Sequence, residues 1–124
     1  MADGIGVGSV DFVAIPSTDW QRSRAFYVET LGLRPDENGQ AEFWVGKTCF
    51  GIWEPASLGM EFSPQRNAHI ALHVDDVEAA RTELETRGVE FAGPTMDSGV
   101  CHMAFFRDPD GNDLMLHRRY KPYE

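Results

Sequence analysis

The chain carries an internal duplication, and that feature limits its architecture more than any other. At an offset of 57, residues 12–24 (FVAIPSTDWQRSR) lie over residues 69–81 (HIALHVDDVEAAR). Phe12 then falls on His69, Ala14 on Ala71, Asp19 on Asp76 and Arg24 on Arg81. Helix-start signals recur at the same offset. Thr18 with Gln21, and Asp75 with Glu78, have capping-box spacing, in which an N-cap oxygen and the residue at N3 satisfy free backbone N–H groups. Each predicted helix runs about three turns and stops at a glycine, Gly32 in TLGL and Gly88 in TRGV, where a left-handed C-cap is cheapest. Val77, Ala80 and Leu84 give the second helix an apolar stripe; Phe26, Tyr27 and Leu31, with Trp20 at its start, serve the first.

The strands follow from alternation. In AHIALHVDD (68–76), Ile70, Leu72 and Val74 share one face, while His69, Ala71 and His73 share the other. A helix would put His69 and His73 on one side within reach of one zinc ion. On a strand they stand roughly 13 Å apart, whereas zinc needs each nitrogen at ~2.1 Å, so the two cannot chelate together. After each helix come short strands: EFWV and CFGIW around Gly46-Lys47, then HMAFF and DLMLH around the turn RDPDGN. The pattern describes an α+β chain of two βαβββ units joined near EPASLGMEFSPQRN. Neither unit closes a core alone, so the two sheets are expected to pair, within a chain or between chains.

At 124 residues and 42% hydrophobic content the sequence fits one domain, residues 1–124, with module one at about 8–56 and module two at about 67–120. A formal charge of -9 argues against nucleic acid and anionic membranes as partners. The small basic cluster Arg118, Arg119 and Lys121 reads as a solvated strand end, or at most a rim attracting an anionic ligand. No apolar stretch is long enough to span a bilayer and MADGIGVGSV lacks the features of a secretory signal, so a cytoplasmic protein is expected. There, Cys49 and Cys101 are expected as buried thiols rather than a disulfide. Cys101 and His102, adjacent on a strand, point to opposite faces and do not form a nucleophilic pair.

Three blocks, Val10 to Leu33, Ala68 to Phe91 and FFRDPDGNDLMLH (Phe105 to His117), resemble the vicinal oxygen chelate superfamily. That superfamily groups glyoxalase I, bleomycin resistance proteins, fosfomycin-modifying transferases, methylmalonyl-CoA epimerase and extradiol dioxygenases. The resemblance implies paired modules forming a cupped mixed sheet with helices on its outer face, and metal ligands on the first and last strands of the modules. Carried over by position, those ligands fall on His69, a fitting type, on Phe12, and on Met115, where glutamate is usual. The first module's last strand, TCFGIWEP, has no mid-strand carboxylate, and Glu54 lies at its end. Phenylalanine offers a metal nothing, a thioether is too soft for ions that oxygen and imidazole select, and one imidazole falls short of about three ligands. No metal cofactor is therefore expected. The alternative is a divalent ion on displaced ligands from His69, His102, His117 and Glu54.

The cup is expected to bind a small organic molecule through Phe12, Met115 and His69, with His117 near the rim and Trp44 and Trp53 available to stack a flat ligand. Plain core packing remains open for these apolar side chains, and His73 reads as peripheral. The function expected is small-molecule binding by a homodimer, by sequestration rather than chemistry. The alternative is a metal-dependent lyase, isomerase or dioxygenase using displaced ligands. A metal-free acid-base enzyme is a third class; it requires a second titratable group near His69, for which the sequence nominates Glu54.

Overall fold

A computed structural model describes residues 4–122 and contains two four-stranded mixed sheets, one per repeat. In the first, β1 (Phe12–Pro16) leads to α1 (Trp20–Ala25), which continues as a π-helical turn (Phe26–Thr30), then to β2 (Arg34–Pro35), β3 (Glu42–Val45) and β4 (Thr48–Trp53). A short 3-10 turn (Pro55–Leu58) opens the connection. The second repeat has β5 (Ile70–His73), α2 (Val77–Thr86), β6 (Phe91–Asp97), β7 (Cys101–Arg107) and β8 (Asp113–Arg119). The strand orders match, β1-β4-β3-β2 and β5-β8-β7-β6, with the first strand of each module parallel to the last. Two βαβββ modules are thus present as the duplication implied. Among the described residues no helix is long and apolar enough to cross a membrane.

Two local details differ from expectation. The helix N-caps are Asp19 and Asp76, whose side chains accept from the N–H groups of Arg22 and Ala79, one residue beyond Thr18 and Asp75. The shift is the same in both modules because Thr18 is drawn to Asp110 and the exposed Asp75 lies beside His73. The first helix is α-helical for only six residues before widening into the π turn. Both still end at the expected glycines, Gly32 and Gly88, at φ 78° and 91°. Within the chain the two sheets are not hydrogen-bonded to each other. Each is a separate ladder, and the modules meet through their helix-covered faces.

Those faces form one core. Ile15, Phe43, Phe50 and Ile52 from the first sheet cluster with Leu72, Ala104, Phe106, Leu114 and Leu116 from the second. The π turn joins them: Tyr27 stacks on Phe43 at 4.8 Å between centroids, and its neighbour Phe26 lies 6.5 Å from Phe106. Alternation therefore assigns the opposite faces, carrying Phe12, Ala14 and Gly51 on one sheet and His69, Ala71 and Met115 on the other, to solvent or ligand.

A polar seam fixes the modules together at the RDPDGN turn. Asp108 accepts from the Tyr27 hydroxyl (2.7 Å), the Asn112 side-chain amide (2.8 Å) and the N–H groups of Asp110 and Asn112. The Asn112 amide also donates to the Pro16 carbonyl. Asp110 accepts from the hydroxyls of Ser17 and Thr18, both at 2.7 Å, from Thr18 N–H and from Arg22. Burial, together with the Asp108 charge, pushes the Tyr27 phenol far above its ordinary range, so it stays a donor. Burial opposes ionisation of Asp110, but the bonds from Thr18 and Ser17 and the Arg22 charge outweigh it and hold this carboxyl below the usual range.

Removing the Tyr27 hydroxyl leaves a buried carboxylate short of a donor. Tyr27→Phe is expected to cost about 1–3 kcal/mol in denaturant unfolding with little change in slope. Because the folded pKa of Asp110 is depressed, its contribution is present above about pH 4 and lost as pH falls through the folded value. Unfolding midpoints measured down through the acid range should fall less steeply in Asp110→Asn than in the parent, from a lower starting point.

Candidate ligand-binding site

Register places the repeat-related positions on the two open faces. Ala14 pairs with Gly51 and its counterpart Ala71 pairs with Met115, so Gly51 and Met115 are equivalent. The positions to which the resemblance assigns a metal are therefore Phe12, Gly51, His69 and Met115: a benzyl group, a hydrogen, an imidazole and a thioether. This donor set does not fit a divalent ion. Among the described residues, no group of three or more His, Cys, Asp and Glu side chains is placed to hold one.

The structure also separates residues that the sequence grouped. Phe12 lines one groove with Ala14, Gly51 and Trp53, whereas His69 lines another with Phe105 and Asp113. Glu54 belongs to the first groove, where its Oε2 accepts from Trp20 N–H at 2.8 Å. His117 pairs with His73 across β8 and β5 and shares the Met115 face. His102 does not join it. Its register partner is Arg118, it stacks against Tyr120 at 4.8 Å and it approaches Asp97 at 3.4 Å, on the helix-facing side. The parity of β7 decides this, since Met103 rather than His102 lies opposite His117. His73 is exposed and lies 3.2 Å from Asp75.

His69 has a titratable neighbour, but it is not Glu54. Its Nε2 lies 3.8 Å from Asp113 Oδ2, and its ring meets Phe105 edge-on at 5.3 Å. Asp113 also takes hydrogen bonds from Arg107 (2.9 Å) and from Asn67 N–H (2.8 Å). Burial works against its charge, yet the Asn67 and Arg107 bonds and the facing cations keep its carboxyl below the usual range. The carboxylate therefore stays ionised beside the imidazole. Sequence reasoning missed Asp113, although a signal existed: it stands two residues before Met115, hence on the same face.

The first groove is larger, about 910 Å³, and open to solvent. Phe12, Trp20 and Trp53 supply aromatic surface, and Glu42 and Glu54 supply charge. Trp20 had been assigned only to the helix start; it reaches the groove because α1 begins directly beside the end of β4. Trp44, expected to stack a ligand, is engaged elsewhere. Its indole N–H donates to Asp36 at 2.9 Å, and the Arg34 guanidinium lies over its ring at 5.9 Å. Cys49, buried on β4, donates its thiol to the groove residue Glu42 at 3.5 Å. Burial pushes that thiol up, and the hydrogen bond to Glu42 and the charges of Glu42 and Asp36 add to the effect.

A fold of two repeated βαβββ modules is that of the glyoxalase-type proteins. Residues 9–116 match the model of the Glyoxalase/Bleomycin resistance protein/Dioxygenase superfamily, and the chain belongs to that family. Its relatives include the uncharacterized protein YaeR of Escherichia coli, 30% identical, with 93% of this chain and 99% of that one covered. A lactoylglutathione lyase of Salmonella typhimurium is 34% identical, covering 79% of this chain and 83% of its own. Among solved structures, TnmS3, an antibiotic binding protein from Streptomyces sp. CB03234, superimposes with a TM-score of 0.73 at 27% identity, over 94% of this chain and 99% of that one.

Cys49 and Cys101 are both free and buried. Thiol titration with an aromatic disulfide reagent should therefore find almost no reactive cysteine in the native protein and both after denaturation. Rapid native reaction of Cys49 would contradict its burial beside the Glu42 carboxylate.

Proposed function

We propose that the protein binds a small organic molecule against its open sheet faces, without a metal ion, and acts by sequestration rather than by chemistry. One observation carries this reading: Phe12, Gly51 and Met115 stand at three of the four positions where the fold would place ligands, leaving His69 as the single donor among the four. The likeness to TnmS3, described as an antibiotic binding protein, supports it. On the first face Phe12 and Trp53 supply apolar and aromatic contact, and on the second Met115 supplies apolar contact while His69 and His117 supply hydrogen bonds.

The working form is a homodimer. The free edge of β1 continues an exposed apolar run of Ile5, Val7, Val10 and Phe12, the last still 61% exposed. An unpaired edge of this kind beside apolar side chains invites a second copy. Light scattering is expected to give twice the chain mass, and the double substitution Val7→Asp with Val10→Asp is expected to yield monomer.

A second reading rests on the His69–Asp113 approach at 3.8 Å, a carboxylate-oriented imidazole able to move a proton without a metal. Elemental analysis tests the main reading. Protein purified without chelator and challenged with manganese, iron, nickel and zinc should retain no near-stoichiometric ion and show no rise in melting temperature with any of them. Retention that disappears in His69→Ala would overturn the metal-free reading and favour a metal-dependent lyase, isomerase or dioxygenase.

A further inference from the structure

The first groove has a one-sided charge. Its ionisable lining residues are Glu42 and Glu54, and it is lined by no lysine, arginine or histidine. Elsewhere three aspartates have cations beside them: Arg22 for Asp110, Arg107 for Asp113 and His102 for Asp97. The groove glutamates have only neutral donors. Glu54 takes the Trp20 N–H with one oxygen, and Glu42 takes the weak Cys49 thiol. The Glu42 carboxylate lies close over Gly39, in the space that a side chain there would take.

Around these carboxylates stand Phe12, Trp20 and Trp53. Aromatic faces attract cations through their quadrupole, tryptophan most strongly, and the attraction grows as water is excluded. The same sheet face already shows this preference, with the Arg34 guanidinium lying over Trp44 at 5.9 Å. Beside the groove the Cys49 thiol is pushed up, by burial first and then by Glu42 and Asp36. A net charge of -9 draws cations toward the molecule and repels anions.

We propose that the groove on the first sheet selects organic cations: flat, largely apolar molecules with one positively charged nitrogen, placed between the indoles of Trp20 and Trp53 and the carboxylates of Glu42 and Glu54. The proposal rests on the reading of the open faces as ligand walls and narrows it to a chemical class. Phosphate esters and carboxylates of similar size are excluded by repulsion from two unpaired glutamates. Neutral aromatics gain the stacking and the apolar contact but not the charge.

A matched set of probes separates these contributions: N-methylacridinium, acridine at a pH where it is neutral, and acridine-9-carboxylate, each titrated calorimetrically into the full-length protein. The cation is expected to bind at least about tenfold more tightly than acridine, with an affinity that falls as salt is raised, and the carboxylate is expected not to bind. Glu54→Gln keeps an acceptor for the Trp20 N–H, and Glu42→Gln keeps the volume. Each should narrow the gap between cation and acridine by about threefold or more, and the double variant should close it, with circular dichroism confirming the fold. Equal affinity of acridine and N-methylacridinium would overturn the charge selection while leaving small-molecule binding standing. Binding of none of the three probes would overturn both. A preference for the cation that survives in the double variant would place the binding site outside this groove and overturn the assignment.

Discussion

Asp108 is the group on which the rest of the arrangement depends. A buried carboxylate is tolerated only when its lone pairs are filled, and here each oxygen takes two hydrogen bonds. Two of these fold the RDPDGN turn onto itself; the third comes from Asn112, which simultaneously reaches the Pro16 carbonyl; the fourth comes from Tyr27 in the other module. A local turn thereby becomes a long-range clamp. Because Tyr27 also stacks on Phe43, and Phe26 beside it approaches Phe106, the position of the clamp sets how the two helix-covered faces meet.

That packing decides which surfaces remain for function. Each sheet has two faces, and the core consumes the one bearing Ile15, Phe50 and Ile52 or Leu72, Leu114 and Leu116. The remaining faces are open by necessity, and their side chains are those one residue out of phase with the core. This is why the positions to which the resemblance assigns metal ligands lie on the open face in both modules: period two sets them one residue out of phase with the core. It also explains why β1 presents Phe12 to solvent while Val13 beside it packs on the core.

Much of this was legible in the residues. The offset of 57 and the alternation in AHIALHVDD were enough to define both modules, the face of His69, and the failure of His69 and His73 to share an ion. What was lost depended on pairing between strands. His102 looked available to His117, but only the register of β7 with β8 shows that Met103 takes that position. Trp44 and Trp53 looked alike on their strands, yet Asp36 and Arg34 occupy the first and leave the second in the groove. The caps lay one residue from their expected places because Thr18 is bound to Asp110, a partner 92 residues away that no local pattern reveals.

The two modules show how a duplicated backbone can carry different chemistries. Equivalent positions hold Phe12 and His69, Gly51 and Met115, while the alanines Ala14 and Ala71 are kept. The core faces stayed apolar in both because each must still pack against the other. The open faces had no such mutual constraint. One became aromatic and acidic, around Trp20, Trp53, Glu42 and Glu54, and the other gathered His69, Asp113, Arg107 and His117. A metal site of the kind the resemblance implies draws donors from both modules, so it restricts both faces together. Phe12 and Gly51 offer no donor for such a site, so nothing in these residues requires the two faces to match.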